Sequence, residues 1–293
     1  MITPAKPTSP PKTEGKLPTC QVISLTTDFG TTDEYVAVMK AVMLSRLSES
    51  GKTVQLVDIS HEVPAQDVCG AAFLFGRAYR YFPAGTVHLV VVDPGVGSDR
   101  RIIAIDSEQQ LFVGPDNGVF SAVLHHAKLS AAPARAYEIT NTELFLPRIS
   151  STFHGRDIMA PVAASLAAGM KLSGVGEEID LTSCTILPQP YKALAAREAV
   201  GEIVHIDRFG NLCTNLTVDD LQPLLEQGRP AITVGSTTID GLSQSYTDSS
   251  PGTLLAHFDS HFQLEIAARD GSAKDLLDAR IGDRVRVTIS DPT

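Results

Sequence analysis

The sequence predicts an α/β N-terminal domain built on a mainly parallel sheet, followed by an all-β, barrel-like C-terminal domain. Three observations carry this. From Gln21 to Ala168, β-prone runs alternate with segments of helical period. Composition then shifts across Ile186–Arg197, where LPQPYKALAAR carries two prolines and no strand alternation. Beyond that point the chain is β-rich, at Glu202–Ile206, Leu212–Leu216, Ala231–Val234, Gln263–Ala267 and Arg284–Ile289. The domains are therefore expected over 20–187 and 196–293, with 1–19 as a tail.

The first 18 residues hold five prolines and three lysines. They lack the apolar core of a secretory signal and read as disordered. The chain has 293 residues, ample for two domains, and 43% hydrophobic with 20% charged residues is ordinary for a globular protein. A net charge of −10 without a lysine–arginine block argues against a nucleic-acid or anionic membrane surface. No apolar run approaches membrane-spanning length. Cys20, Cys69, Cys184 and Cys213 lie far apart with no CxxC pair. That pattern argues against a zinc site or a disulfide framework and suits a reducing, cytoplasmic compartment. No His/Cys/Asp cluster has ligand spacing, so neither a metal nor another cofactor is expected.

In chain order, Gln21–Thr27 reads as a strand ending in Asp28, Phe29 and Gly30. Thr31 and Glu34 have capping-box spacing, and Tyr35, Val38, Met39, Val42 and Met43 share one helical face. Asp28 thus sits at a strand-to-helix corner, ahead of the cap, where the helix dipole supplies no reason for an acid; a ligand role is expected. Asp33 falls in the first turn, where the dipole alone can account for it, so both readings stay open. Val54–Ile59 is a second strand, and Pro64 opens a helix burying Val68, Ala72, Phe75 and Tyr79. His61, between them, reads as a structural histidine. Thr86–Val92 is the third strand; Ile102–Asp106 and Gln110–Val113 pair across a tight turn, and Gly114–Gly118 leads into a helix. SSTFHGRD (Ser150–Asp157) places His154 and Arg156 before a small-residue helix, Met159–Ala168.

The stretch VVVDPGVGSDRR, Val90–Arg101, organises the rest. Its β-branched run stops at Asp93, and Pro94, Gly95 and Gly97 force a tight turn. Asp93 is therefore expected at the carboxyl end of a buried strand, the edge of an α/β sheet where ligands bind. Arg100 and Arg101 follow closely enough for one guanidinium to fold back on it. A turn-capping Asp paired with a surface Arg would produce the same text. Three corners carrying titratable groups, however, point to a shared cleft.

TDFGTTDEYV, DISHEVPAQDV, VVDPGVGSDRR, GPDNGVFS, TFHGRD and IDRFGNLCTN occur in an order that resembles the S-adenosylmethionine hydroxide adenosyltransferase family, related to S-adenosylmethionine-dependent fluorinases and chlorinases. The resemblance spans roughly Val22 to Ile289. It implies a homotrimer in which substrate binds between one subunit's N-terminal domain and a neighbour's C-terminal domain. It implies that Asp28 holds the ribose hydroxyls, as a carboxylate accepting two vicinal O–H groups can. Asn211 would read the adenine edge, since an amide offers donor and acceptor. Asp33 and Asp207 would lie near the methionine ammonium and Ser260 near its carboxylate. Gln66 would line the pocket in place of the fluorinase's tryptophan.

Asp93, Arg100 and His154 match the family's Asp-Arg-His set, which places a water beside ribose C5′. The halogenating enzymes have a tyrosine at Asp93 and a threonine at Val96, and they carry an extra loop where this chain passes directly from Arg101 to Ile102. These differences imply attack by water, with S-adenosyl-L-methionine as substrate and adenosine and L-methionine as products. Two further departures touch the methionine end: His261 stands where the fluorinase has an arginine, and Tyr35 where it has a serine. Two alternatives from other classes are a nucleoside-binding module with vestigial catalysis and a halogenase.

Overall fold

The computed structural model describes residues 22–130 and 134–289; the tail expected at 1–19 lies outside the described residues. The chain divides into two compact units. The first takes the chain up to Gln66 together with Tyr79–Cys184, and the second takes Asp67–Ala78 and everything from Thr185 onward.

The first unit holds β1 (Val22–Thr27), α1 (Tyr35–Glu49) and β2 (Gln55–Ser60). After α2 (Val68–Ala78), which belongs to the second unit, the first resumes with β3 (Val87–Val91), β4 (Ile102–Ser107), β5 (Gln110–Pro115), α3 (Ser121–Ser130) and β6 (Ala134–Glu138). It ends with α4 (Ala160–Ala167) and β7 (Glu178–Ile179). Its sheet runs β2-β1-β3-β5-β4-β6-β7. The pairings β1 with β2, β1 with β3 and β3 with β5 are parallel; the β4–β5 hairpin and the pairings beyond it are antiparallel. All of β3 is buried, which is why it reads as an unbroken apolar run and not as alternation. Met39, Met43, Leu47, Val162 and Leu166, from α1 and α4, pack with Ile23, Leu25, Leu89 and Val91 in one core.

Two local expectations are corrected here. The buried line of α1 is Val36, Met39, Met43 and Leu47, and Tyr35 is exposed. Glu34 occupies the N-cap without a side-chain cap bond, and Thr31 Oγ1 instead donates to Glu62 Oε1 at 3.4 Å. Asp33 therefore precedes the cap and is not in the first turn. Pro64 does not open the next helix either. Gln66 has φ +67°, a left-handed value that no right-handed helix accepts, so α2 starts only at Val68. Asp67 begins it, accepting from Gly70 N through Oδ1 at 2.8 Å and from Ala71 N through its carbonyl at 3.0 Å.

The second unit contains β8 (Ala193–Leu194), β9 (Glu198–Ile206), β10 (Leu212–Thr217), α5 (Val218–Leu225), β11 (Pro230–Val234), β12 (Thr237–Asp240), β13 (Leu254–Phe258), β14 (Gln263–Ala268), α6 (Ala273–Leu277) and β15 (Arg284–Ile289). The strand order is β12-β11-β15-β9-β10-β14-β13, with β8 added on β9 and every pairing antiparallel. The end strands β12 and β13 lie against one another, so the sheet nearly closes into a barrel around Ile203, Leu212, Ile232, Leu264, Ile266 and Val287. Helix α5 begins at a full capping box between Thr217 and Asp220. α2 joins this unit although it lies far upstream in sequence; Phe73 stacks on His205 with ring centroids 4.9 Å apart.

Candidate functional site

In the first unit, β1 continues through α1 to β2 on one side, while its other neighbour is β3. The strand order therefore reverses between β1 and β3, and the crevice outside their carboxyl ends is where open α/β sheets bind ligands. Thr27 pairs with Val91, so Asp28 and Asp93 leave the two strands side by side at that edge.

The Asp28 corner is held by a relay that runs inward from exposed Asp58. Asp58 Oδ1 lies 3.0 Å from His61 Nε2, and His61 Nδ1 lies 2.8 Å from Thr27 Oγ1, which also accepts from Phe29 N at 3.3 Å. The His61 carbonyl accepts from Gly30 N at 2.7 Å. His61 is 5% exposed, so it is a structural histidine that shapes this corner. The Gln66 backbone N–H donates to Asp28 Oδ2 at 2.7 Å, made possible by the left-handed turn at Gln66. That bond orients the carboxylate and leaves Oδ1 for a ligand.

Arg100, and not Arg101, folds back on Asp93. Its Nε donates to Oδ1 at 2.9 Å and to Oδ2 at 3.0 Å, and Nη2 makes a further short bond to Oδ2. Arg101 points elsewhere, to Asp116 and the Ser183 carbonyl and hydroxyl. Arg100 Nη2 also donates to His154 Nδ1 at 3.0 Å, which joins all three residues in one cluster. The Asp93 and Arg100 side chains are only 5% and 13% exposed, so the pair is nearly dry and correspondingly strong. Burial, reinforced by the Arg100 charge, lowers the His154 pKa and keeps the imidazole neutral. Because Nδ1 accepts from a guanidinium, the proton of the neutral ring sits on Nε2.

Close backbone packing brings these loops together. A Cβ at Gly97, which has φ +80°, would collide with the Ser151 carbonyl oxygen. Gly155 opens a single π-helical turn, Gly155–Met159, and a Cβ there would lie 2.9 Å from Val91 Cγ1. Arg156 is taken up by buried Asp157. Phe29, Tyr35 and Phe153 form an aromatic trio with centroid separations of 5.3–5.6 Å, joining the Asp28 and His154 corners. Reading the chain did not single out Phe29 or Phe153; standing next to Asp28 and His154 was their one signal. Asp33 is exposed, just ahead of α1.

The remaining candidates lie in the second unit. Asp207 Oδ1 accepts from the backbone N–H groups of Phe209 (2.8 Å) and Asn211 (2.9 Å), and Oδ2 accepts from Asn211 Nδ2 (2.9 Å). One amide N–H of Asn211 is thus committed to Asp207, and its Oδ1 and second N–H have no hydrogen-bond partner among the described residues. Asp207 and Ser260 both line a cavity of about 460 Å³, with Arg77, His205, Cys213 and Glu265. Within it, Cys213, Asp259 and Glu265 bring potential metal-ligand atoms within 4.8 Å of one another, which their sequence spacing does not reveal. Each already has protein partners. Asp259 is held by Arg77 and by two backbone N–H groups, and Glu265 by His257 and Tyr246. Burial, then the Glu265 charge, pushes the Cys213 thiol up to about 12, so it stays protonated.

An acidic corner and a nearly dry Asp-Arg-His cluster at the carboxyl edge of an α/β sheet are the class of site that takes a small molecule. Comparison with known proteins makes the class specific. Residues 23–176 match the SAM hydroxide adenosyltransferase N-terminal domain and 201–286 match its C-terminal domain, and the chain belongs to that family. It is similar to the (R)-S-adenosyl-L-methionine hydrolase of Salinispora tropica, with 40% identity over 91% of this chain and 97% of that one. The hydrolase of the same name from Thermus thermophilus is 37% identical over 89% of this chain and 96% of its own length. Fluorinases align at 26–29% identity. Among solved structures, an uncharacterized conserved protein from Thermotoga maritima superposes with a TM-score of 0.82 at 36% identity, covering 91% of this chain and 99% of the other.

Proposed function

We propose that the protein hydrolyses S-adenosyl-L-methionine to adenosine and L-methionine by in-line attack of water at ribose C5′. The observation that carries this reading is the Asp93–Arg100–His154 cluster beside Asp28 at the β1/β3 reversal point. The greater similarity to proteins named as hydrolases than to fluorinases supports it.

In this reading Asp28 binds the ribose hydroxyls, and the aromatic trio gives the nucleoside an apolar wall. Water donates to Asp93, whose Oδ1 keeps a lone pair beside its Arg100 bond, and accepts from His154 Nε2–H. One water lone pair is then free to face C5′. His154 orients the water and does not deprotonate it, because its one unprotonated nitrogen is occupied by Arg100. As the C5′–O bond forms, the C5′–S bond breaks and its electron pair stays on sulfur, giving a neutral thioether. No general acid is needed; after attack the oxygen gives up one of its two protons, through Asp93 to solvent, and keeps the other as the 5′-hydroxyl hydrogen. Alignment of this kind can supply up to ~7–11 kcal/mol of the barrier.

Asn211 binds the adenine edge, Asp33 and Asp207 the ammonium, Ser260 the carboxylate, and Gln66 lines the pocket. These residues fall in both units, and we place the complete site between subunits of a homotrimer. No cofactor takes part. The free thiols Cys69, Cys184 and Cys213 fit a reducing, cytoplasmic location. The decisive experiment incubates purified protein with excess S-adenosyl-L-methionine, its R and S sulfonium epimers presented separately, and measures adenosine, methionine and released protons. Turnover beyond one equivalent per site is expected; a single equivalent would identify a binding module instead.

A further inference from the structure

His261 stands where related halogenating enzymes have an arginine, yet a guanidinium is present beside it. Arg77, from α2, lines the same cavity as Asp207 and Ser260, and all of these residues belong to the second unit. We propose that Arg77 is the specificity-determining anchor for the α-carboxylate of the substrate, an inference that rests on the hydrolase reading above.

Among the described lining residues Arg77 is the one lysine or arginine, set against the carboxylates Asp207, Asp259 and Glu265. His205 adds no charge, because burial lowers its pKa. A cavity with acidic groups and one guanidinium matches the head of an α-amino acid, which presents ammonium and carboxylate on a single carbon. The acidic surplus also suits a substrate that carries a sulfonium. Asp207 Oδ2 accepts only from Asn211 among the described residues, so it keeps capacity for the ammonium.

Arg77 is held ready for this task. Its Nη2 donates to Asp259 Oδ2 at 2.5 Å and to His261 Nδ1 at 2.6 Å, and Nη1 donates to Gln263 Oε1 at 2.9 Å. The guanidinium lies over Phe73, 5.0 Å from the ring centroid. Of its five N–H groups, Nε–H and one on Nη1 have no partner among the described residues. His261 links the guanidinium to Ser260: Ser260 Oγ lies 3.2 Å from the same Nδ1 that accepts from Arg77. A carboxylate that reaches Ser260 therefore meets a fixed cation held at the same imidazole nitrogen. Asp259 is 6% exposed and neutralises Arg77 only in part, pinning its Nη2 corner and leaving the Nε edge. A guanidinium fixed in this way loses little side-chain entropy when it binds.

The test compares kcat/KM for S-adenosyl-L-methionine with that for its decarboxylated analogue, in wild type, Arg77→Lys and Arg77→Met. Wild type should prefer the carboxylate-bearing substrate by about tenfold or more. Both substitutions should bring that ratio towards unity, because only one of the two substrates loses a contact. A role confined to holding Asp259 would lower both substrates equally, and that result overturns the proposal. Should neither variant fold, calorimetry on the wild type with L-methionine and with methioninol decides, equal affinities overturning it. The hydrolase reading fails separately, when the wild type forms no adenosine from either substrate; the affinities of wild type and Arg77→Lys for L-methionine and methioninol, compared by calorimetry, then still report on Arg77.

Discussion

Arg100 Nη2 donates to His154 Nδ1 across 3.0 Å, and this bond assigns the histidine its tautomer. The neutral ring has its proton on Nε2, and burial together with the Arg100 charge lowers its pKa from the ordinary 6.5. Protonation on Nδ1 would break the bond and set two cations against each other.

The pH profile follows from that sign. The functional form is the neutral one, so activity is present above 6.5 and is lost only as pH falls through the lowered value. The acid limb of kcat/KM should have an apparent pKa below 6.5, and His154→Asn should remove that limb along with most of the rate. A limb centred at or above 6.5 would contradict a lowered His154 pKa and with it the Arg100 bond that helps set it.

Substitutions should separate binding from chemistry. Asp28→Asn should weaken binding by about 1.5–3 kcal/mol through loss of charge-assisted bonds to ribose. Asp93→Asn, Arg100→Ala and His154→Ala should lower turnover far more than affinity, because they act on the attacking water. Unchanged turnover with weaker binding in all four variants would refute this division.

Oxygen must come from solvent and halide must be refused. In ¹⁸O-enriched water the label should enter adenosine and not methionine. Chloride or fluoride should give little 5′-halogenated nucleoside, since the Asp93 carboxylate occupies a nearly dry site where an anion would have to sit. Abundant 5′-chloroadenosine would overturn the assignment.

The site proposed between subunits predicts dependence on assembly. Light scattering under assay conditions should find an active trimer, and dilution to the monomer should abolish turnover. An active monomer would contradict the shared site.

Buried His88 should make the first unit acid-sensitive. It is fully buried, its Nδ1 lies 2.6 Å from Ser24 Oγ, and it stacks on Phe112; burial pushes its pKa down to about 3. The unfolded chain binds this proton near 6.5, so the neutral histidine stabilises the fold above that pH. The contribution is lost as pH falls from 6.5 towards about 3, at up to about 1.4 kcal/mol per pH unit. Chemical denaturation from about pH 7 to about pH 5 should show a shallower loss in His88→Gln than in wild type, by this linkage. Equal slopes would exclude His88 as the titrating group.

Much of the site could be read in the chain because its signals are local. Two apolar runs ending at polar corners mark Asp28 and Asp93, and the text just ahead of a small-residue helix marks His154, each within a few residues of itself. The small-residue text of α4 is equally local. Strands β12 and β13 were not read from the chain; β13 is as long as β11, which was, so length does not separate them. Local reading leaves Arg100 and Arg101 equal candidates for Asp93, since the two are adjacent and chemically identical; the family resemblance points to Arg100, and the tertiary structure makes that contact. It alone decided which nitrogen of His154 carries the proton, which depends on a partner 54 residues away. It alone placed α2 in the second unit and so brought Arg77 to His261, 184 residues further along the chain. Local backbone preference specifies where the chain turns; packing of distant apolar faces specifies which turns meet.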